Sequence, residues 1–310
     1  MSNTLNNGIQ EPSGVLIVNK PRGMTSHDVI GRVRKLYGTR KVGHTGTLDP
    51  DATGVLVVLI GRAAKAAEYL TSDTKRYEAV LRLGLTTDTE DATGNILTRS
   101  DNIPSEELVR DVCGKFVGNI KQIPPMYSAL KVDGQKLCDL ARKGITVERK
   151  EREITVYELC CKPLSLPSDY SLDVFCSSGT YIRTLCSDIG AALGCGGIMA
   201  SLNRTYAGGF GIEGAYTLDQ LDVMNFTDRQ AVLIPTEQLF SSLGEVRLTP
   251  FFEKLCRGGC EIYQKKIKTN FALGERVKIC DEKGNFFALG EVFEYPDGTA
   301  VKAIKTFDIK

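Results

Sequence analysis

The pattern that most restricts the fold is the segment 43–56, GHTGTLDPDATGVL. Its glycines, threonines and proline predict a sharply shaped loop, because glycine permits backbone conformations that other residues avoid and proline fixes one torsion angle. The loop runs directly into the apolar residues 55–60, which are expected to form a buried strand or a helical segment. A rigid loop on a packed scaffold can aim one carboxylate at a substrate, and Asp49 lies in its middle.

Two interpretations of Asp49 follow from the residues alone. Asp49-Pro50 can simply begin a turn or cap a helix that starts at Pro50. If Asp49 is catalytic, a carboxylate without a paired acid, a nucleophilic triad or a metal cluster suggests nucleophilic attack or stabilisation of a cationic sugar-like centre. Asp51 lies two residues after Asp49, but this spacing in a loop does not predict the direction of its side chain.

The rest of the first 245 residues predicts an α+β domain. Alternating or apolar runs predict strands at 14–19, 75–85, 170–176 and 198–206. Apolar stripes and an alanine-rich run predict helices at 26–36, 62–70, 108–116 and 182–193. Ser26 is expected to cap the first helix and Gly38 to end it.

Residues 119–152 and the C-terminal region have different patterns. The former hold Pro124-Pro125, many charges and little periodicity, which predicts an ordered functional excursion. Beyond residue 245, turn residues separate expected short strands at 277–280, 286–289, 292–295 and 300–304. The expected organisation is a loose tail (1–12), a large domain (13–245) and a small β module (246–310).

Charge is informative only locally, because the chain's net charge is +1. Residues 20–41 carry seven basic residues and one acidic residue, a net +6; residues 131–152 carry seven and four, a net +3. Such stretches can neutralise RNA phosphates, or they can be ordinary solvated surfaces.

Cysteine and histidine spacing does not predict a metal site. Cys256 and Cys260 lie close together, but no second pair follows at zinc-finger spacing, and both histidines, His27 and His44, are far away. The cysteines in apolar stretches are expected to be buried free thiols: Cys160, Cys176, Cys186 and Cys280. Free thiols, with no apolar leader and no membrane-length apolar run, predict a cytoplasmic protein.

Six motifs, in order, resemble those of the TruB family of pseudouridine synthases. Segment 43–56 resembles the family's active-site motif. The others are GVLIVNKP with the following GMTS (14–26), KRY (75–77), QIPPMYSALK (122–131), SGTYIRTL (178–185) and the late motif from LNR to Phe210 (202–210). The resemblance covers residues 14–245, and several motifs in order are more specific than one alone. The C-terminal module resembles, more weakly, the PUA-like tail of bacterial members.

This resemblance implies a core of mixed and antiparallel β-sheet with helices, followed by a small PUA-like β-barrel module that binds RNA. It implies an enzyme that converts the T-loop uridine of tRNA (position 55) to pseudouridine, with neither a metal nor an organic cofactor. The base must first be flipped out of the folded RNA. The implied partner is the T arm of tRNA, not DNA or a membrane, and the implied state is a monomer.

The resemblance also assigns roles to single residues. Asp49 is the implied catalytic residue, attacking either the sugar or the base; Arg183 pairs with it, orients it and keeps it ionised. Tyr77 stacks on the flipped uracil. Tyr181 and Ile182 are implied to form the wall of the pocket, and Leu202 to close it.

Two further residues have less definite roles. His44 is implied to support the flipped nucleotide, although a histidine that bonds its own turn is an equal alternative. Lys20 is expected to support either the floor of the site or the RNA backbone.

Two other functions remain open. The basic excursion and the β module also fit an RNA-binding or tRNA-folding protein. A pseudouridine synthase with another RNA target, such as the relatives that use guide RNAs, is the third possibility. The bacterial-looking excursion and short β tail argue against guide RNAs.

Overall fold

The computed structural model describes residues 11–70, 74–128, 130–132 and 134–307. Most of the expected tail, residues 1–10, lies outside this range. Thirteen strands precede residue 212 in the described chain. They are β1 (Gly14–Lys20), β2 (Val42–Thr45), β3 (Thr53–Ile60), β4 (Lys75–Leu83), β5 (Leu85–Thr87), β6 (Ile96–Arg99), β7 (Gly118–Gln122), β8 (Lys131–Val132), β9 (Gln135–Lys136), β10 (Arg152–Pro163), β11 (Asp169–Cys176), β12 (Gly197–Ala207) and β13 (Phe210–Gly211).

Helices accompany these strands and continue into the C-terminal region. The α-helices are α1 (Ser26–Tyr37), α2 (Glu106–Gly114), α3 (Leu137–Arg142), α4 (Ile182–Ala192), α5 (Leu218–Val223), α6 (Phe226–Ala231), α7 (Pro250–Arg257) and α8 (Gln264–Ile267). Three 3₁₀ helices span Gly61–Tyr69, Ile212–Gly214 and Thr236–Phe240. The alanine-rich run expected to be helical is thus a 3₁₀ helix.

A nine-stranded mixed sheet forms the centre of the molecule. Its strand order is β1-β3-β12-β4-β11-β10-β7, while β2 pairs with β3 and β13 with β12. All its pairs are antiparallel except the short parallel contact of β12 with β3. The predicted α+β architecture with a mixed sheet is confirmed.

Strand β3 is buried on both faces, which explains its continuous apolar sequence. Leu56, Val58 and Ile60 pack in one core cluster with α1. Val55, Val57 and Leu59 pack in another, with β1 and the first 3₁₀ helix. Because both faces are covered, the strand has no alternating polar residues. The sequence alone therefore could not distinguish a strand from a helix here.

Helix α1 begins differently from the prediction. Thr25, not Ser26, is the N-cap, and it forms a reciprocal capping box with Asp28. Gly38 ends the helix in a left-handed conformation, as predicted. Ser26 is therefore free to make a different, buried contact described below.

The second core packs helices α2 and α4 against β4 and β11. The alternating apolar residues of β4, up to Leu83, and those of β11 are buried, as predicted. The expected strand 75–85 ends at Leu83, however, and Leu85 is half-buried and begins β5. Helix α2, however, turns Val109 and Val112 inward. Of the residues expected on the buried stripe, Val112 is buried as predicted, whereas Leu108 is 49% exposed and Val109 is buried instead.

The predicted excursion leaves the central sheet at Gln122 and returns at Arg152, and these two residues pair with each other. Residues 119–122 therefore belong to the sheet rather than to the excursion. The excursion contains the β8–β9 hairpin and α3, whose residues Leu137 and Leu140 are buried.

The C-terminal region forms a five-stranded sheet, which confirms the predicted small β module. Its strands are β14 (Gly244–Arg247), β15 (Ile262–Tyr263), β16 (Arg276–Cys280), β17 (Phe286–Tyr295) and β18 (Gly298–Thr306), in the order β14-β16-β17-β18-β15. The expected strands 286–289 and 292–295 are one strand. Gly290 interrupts the apolar pattern because Ile279 and Val301 fill its side-chain space. The expected boundary at residue 245 falls within β14.

The first 3₁₀ helix joins the two sheets. Arg62 and Lys65 donate hydrogen bonds to the carbonyls of Phe307 and Thr306, each at 3.2 Å. Ala66, beside them, packs in a cluster with Leu289 and Phe307 of the C-terminal module.

All ten cysteines are described, and none forms a disulfide. Cys176, Cys186 and Cys280 are buried, as predicted, whereas Cys160 is exposed. The prediction failed for Cys160 because β10 turns this face toward solvent. Among the described helices, none combines the length and apolarity needed to span a membrane.

Candidate active site

The loop between β2 and β3 carries Asp49 and is anchored from helix α1. Ser26 Oγ accepts a hydrogen bond from Leu48 N at 2.9 Å and donates to the Leu48 carbonyl at 3.1 Å, with both residues buried. The Asp49 carbonyl accepts from Ala52 N at 3.1 Å, so Asp49-Pro50 does form a turn. Pro50 does not start a helix. The turn interpretation and a functional Asp49 are therefore compatible.

Gly54, where this loop enters β3, must be glycine. Its φ is +102°, and a Cβ there would lie 2.2 Å from the carbonyl oxygen of Arg204. The close approach lets Arg204 reach across the loop. Its Nε donates to the Val55 carbonyl at 2.8 Å and its Nη2 to the Gly46 carbonyl at 2.9 Å.

Arg204 was not among the predicted site residues, although it is the largest fully buried side chain in the described chain. It lies on β12 directly opposite Tyr77 of β4, and its positive charge opposes the effect of burial on the Tyr77 hydroxyl, whose pKa burial raises. The available signal was its place in the late motif, between strand residues that favour burial. A buried cation that holds the Gly46 carbonyl of the loop and the Val55 carbonyl of β3 ties the loop on which Asp49 sits to the sheet.

Arg183 is brought against Asp49, as the resemblance implied. Its Nε lies 3.0 Å from Asp49 Oδ2, and the guanidinium side chain is 7% exposed. Its Nη1 donates to the Thr89 carbonyl at 3.3 Å and its Nη2 to the Tyr127 carbonyl at 2.8 Å. These partners offset the unfavourable position of a cation in the first turn of α4.

A second carboxylate, Asp91, lies behind Arg183 and was also missed. Its Oδ2 is 3.9 Å from Arg183 Nη1, while its Oδ1 accepts hydrogen bonds from Thr89 Oγ1 and from Thr93 N. The sequence showed only a loop containing Asp91. Its approach to Arg183 depends on the pairing of this loop with Met199 of β12.

Burial raises the pKa of the Asp49 carboxyl above its ordinary value. The Arg183 guanidinium and Lys20 oppose this shift, and the Asp91 carboxylate adds to it. Arg183 therefore counteracts burial rather than moving the pKa below its usual range. The Asp49 side chain is still 41% exposed, so a substrate can reach it.

Tyr77 lies at the floor of this region and is 7% exposed. It belongs to the core cluster that includes Ile182, and Leu202 packs half-buried against the same cluster. Burial raises the pKa of the Tyr77 hydroxyl, so the hydroxyl is protonated at neutral pH. Tyr181, half-buried, immediately precedes α4 as its N-cap residue.

Lys20 is fully buried under the loop. Its Nζ donates to the carbonyls of Pro21, Met24 and Pro50 at 2.9, 2.7 and 3.0 Å. Burial lowers its pKa to about 8. Of the two predicted places, the geometry matches the floor of the site, because Nζ is occupied by protein carbonyls.

His44 lies on β2, where burial and the nearby Arg204 lower its pKa. Its Nδ1 is buried and has no hydrogen-bond partner among the described residues. The alternative of a histidine bonded to its own turn through Nδ1 is therefore not what is observed. Asp51 points away from Asp49, into an exposed ion pair with Arg22 at 3.1 Å.

Among the described residues, one group of possible metal ligands lies in the C-terminal sheet and the 3₁₀ helix that precedes it. Carboxylate and thiol atoms of Glu237, Glu245 and Cys280 come within 4.8 Å of one another. Lys278 Nζ, however, lies 3.0 Å from Glu237 and 3.5 Å from Glu245. The lysine already supplies the positive charge that a metal ion would bring.

Family models match most of the chain. Residues 34–182 match the TruB family pseudouridylate synthase N-terminal domain, and residues 183–241 match the tRNA pseudouridylate synthase B C-terminal domain.

Curated relatives agree. The tRNA pseudouridine synthase B of Syntrophotalea carbinolica is 46% identical over 240 residues, which cover 77% of this chain and 78% of the relative. That of Alkaliphilus oremlandii is 43% identical over 273 residues, covering 87% and 90%.

Two solved structures share the fold. A chain from a Cbf5–Nop10–Gar1 complex is 28% identical, with a TM-score of 0.72 over 95% of this chain and 85% of that one. A chain from an H/ACA RNP bound to a substrate RNA containing 2′-deoxyuridine is 26% identical, with a TM-score of 0.73 over 96% and 85%. The α+β pseudouridine synthase fold expected from the sequence is thus confirmed. Together with the family models and the curated relatives, this similarity shows that the chain belongs to the TruB family of pseudouridine synthases.

Proposed function

We propose that this protein converts uridine to pseudouridine in tRNA, at the T-loop uridine. The observation that carries the proposal is the accessible Asp49 carboxylate held 3.0 Å from the buried Arg183 guanidinium. The names of the curated relatives, tRNA pseudouridine synthase B, support tRNA as the substrate.

The reaction is an isomerisation and needs no co-reactant. The bond between uracil N1 and ribose C1′ breaks, the uracil turns, and C5 bonds to C1′; C5 loses a proton and N1 gains one. Asp49 would attack or stabilise the electron-poor centre formed when the first bond breaks. Arg183 would keep the carboxylate aimed, which is how a preformed site lowers a barrier.

Uracil reaches Asp49 only after leaving the RNA stack. Tyr77 would supply the flat surface for the extruded base, with Leu202 and Tyr181 at the pocket wall and His44 near the nucleotide. Lys20 would hold the Pro50 carbonyl, and thus the loop, from below. Basic residues of the excursion, including Arg142, would contact phosphates of the T arm.

The protein would act as a monomer in the cytoplasm. The ten free cysteines support a reducing compartment. The boundaries 13–245 for catalysis and 246–310 for additional RNA contact form part of the same proposal. The separate β14–β18 sheet supports the division into two parts, although the sheet begins at Gly244, just before the proposed boundary.

The test is pseudouridine mapping on an unmodified tRNA transcript incubated with the wild type, Asp49→Asn or Asp51→Asn. We expect T-loop modification by the wild type and Asp51→Asn, and none by Asp49→Asn, with all three binding tRNA. Asp51 is a matched control because it lies two residues away but faces Arg22. An unmodified T loop with the wild type, or full activity of Asp49→Asn, would refute the proposal.

A second candidate is the same reaction on another RNA, favoured by the fold shared with an RNP bound to a substrate RNA. Transcriptome-wide mapping after gene deletion separates the two. Loss confined to tRNA T loops supports the first; losses spread over other RNAs support the second. A purely RNA-binding or RNA-folding role predicts that no pseudouridine disappears.

A further inference from the structure

Gln122 is a buried polar side chain outside the proposed chemistry. It is the last residue of β7 and is 2% exposed. Its Oε1 accepts a hydrogen bond from Tyr181 N at 3.0 Å, and its Nε2 donates to the Tyr181 carbonyl at 3.2 Å. One amide thus satisfies both backbone groups of one residue, and only one orientation of the amide can do so.

Tyr181 is where helix α4 begins. Its own side chain makes no capping hydrogen bond, so no local side chain fixes the entry to the helix. Gln122 holds this entry from a strand distant in sequence. Two residues later, Arg183 projects its Nε to within 3.0 Å of Asp49.

A second contact ties the same part of the chain to the arginine. The Tyr127 carbonyl accepts from Arg183 Nη2 at 2.8 Å. Between Gln122 and Tyr127 the backbone contains Pro124-Pro125, whose fixed torsion angles make it stiff. Residues 122–127, the root of the excursion, therefore contact both the start of α4 and the Arg183 guanidinium.

We propose that Gln122 is a positioning residue, which holds the Tyr181 backbone so that Arg183 stays against Asp49 and in register with the root of the excursion. Its effect on the reaction rests on the proposed function. Its effect on the ion pair does not, because the contacts belong to the protein alone.

Two variants probe this role. Gln122→Met keeps the length and apolar volume but loses both hydrogen bonds. Gln122→Glu keeps the oxygen that accepts from Tyr181 N, but it replaces the donor to the Tyr181 carbonyl with a second oxygen. The matched control is Thr155→Val, which removes a 2.8 Å side-chain bond to Asn119 between β7 and β10 without touching α4.

The kinetic measurement uses enzyme in excess over tRNA. We expect both Gln122 variants to slow pseudouridine formation by about tenfold or more, with the Kd for tRNA changed less than about threefold. Thr155→Val should react at the wild-type rate. Wild-type rates for both Gln122 variants would overturn the inference.

The second measurement needs no activity. Carboxyl ¹³C NMR, with the Asp49 signal assigned by its loss in Asp49→Asn, follows the titration of Asp49. The charged groups facing this carboxyl are Arg183, Lys20 and Asp91. Since Arg183 opposes the effect of burial, loosening it should raise the pKa of Asp49 in Gln122→Met and leave it unchanged in Thr155→Val.

A purely structural role for Gln122 would lower the folded fraction without moving this pKa, so an unchanged pKa in both Gln122 variants overturns the inference. If the wild type forms no pseudouridine, the proposed function fails. The Asp49 titration still decides the role of Gln122.

Discussion

Arg183 and Asp49 meet at 3.0 Å, and the remaining guanidinium nitrogens are occupied by the carbonyls of Thr89 and Tyr127. The planar guanidinium of Arg183 reaches three acceptors at once, one with each nitrogen. A lysine has a single ammonium group on a flexible side chain and cannot reach three acceptors in one plane in this way. The pair is therefore defined by geometry as well as by opposite charge.

Arg183→Lys should slow pseudouridine formation by about 30- to 160-fold, because losing charge-assisted hydrogen bonds and the alignment of Asp49 costs roughly 2–3 kcal/mol. Single-turnover assays and tRNA binding measure the two effects separately. Arg82→Lys is the control, since Arg82 forms an ion pair with Asp169, through two hydrogen bonds, away from the site. A rate within tenfold of wild type for Arg183→Lys would contradict the assigned role.

Tyr77→Phe should lose activity while keeping its packing. The phenyl ring preserves the buried surface, but the buried hydroxyl, which Arg204 influences electrostatically, disappears. The control is Tyr37→Phe, where a buried hydroxyl donates to the Arg229 carbonyl at 2.8 Å far from the loop. Tyr37→Phe should lower the free energy of unfolding by about 1 kcal/mol and Tyr77→Phe by no more than that, measured in urea. Only Tyr77→Phe should slow the reaction; equal activity of the two variants would contradict this.

Lys20→Met should destabilise the protein by about 2–4 kcal/mol, because buried carbonyls of Pro21, Met24 and Pro50 lose their donor. Urea denaturation at several pH values measures the loss.

The pH dependence has a defined sign. The pKa of Lys20 is lowered by burial from 10.5 to about 8, so between these values the unfolded chain binds more protons than the folded one. Wild-type stability therefore gains from Lys20 as pH rises from about 8 to about 10.5. The gap between wild type and Lys20→Met should widen over that range and stay constant below it. A gap that narrows above pH 8 would show that burial does not dominate at Lys20.

Gly54→Ala should lower the free energy of unfolding by about 3 kcal/mol or more, through a strained φ and a collision with the Arg204 backbone. Gly43→Ala, in the same motif, should change stability little. Gly43 has an ordinary φ and no atom within 4 Å of its added Cβ. Thermal unfolding of the two variants checks this, and equal losses would contradict it.

The local sequence was sufficient to predict structure where a residue's neighbours in the chain decide its conformation. Gly38 ends α1, and the alternating residues of β4 and β11 are buried as their period indicates. It was insufficient at Ser26, which has the right chemistry for a cap but bonds Leu48 instead. Thr25, one residue earlier, has the same capping ability, and packing decided between them.

The same limit applied to the site. The motif around Asp49 pointed to the carboxylate, and the resemblance pointed to Arg183. The sequence analysis did not single out Arg204, Asp91 or Gln122. Each of them contacts its partner in the site across at least 59 positions of the chain. No spacing pattern within one segment encodes such contacts.

The sequence by itself determined the α+β class, the loop that carries Asp49 and the family resemblance, because these depend on short-range patterns and on motifs read in order. Only the tertiary structure decided which groups surround the carboxylate. Strand pairing places β12 beside β3 and β4. The hydrogen bond between Gln122 and Tyr181 holds the start of α4 beside the root of the excursion. Those contacts set the burial and charge at Asp49, and burial and charge are sums over neighbours that are distant in the chain.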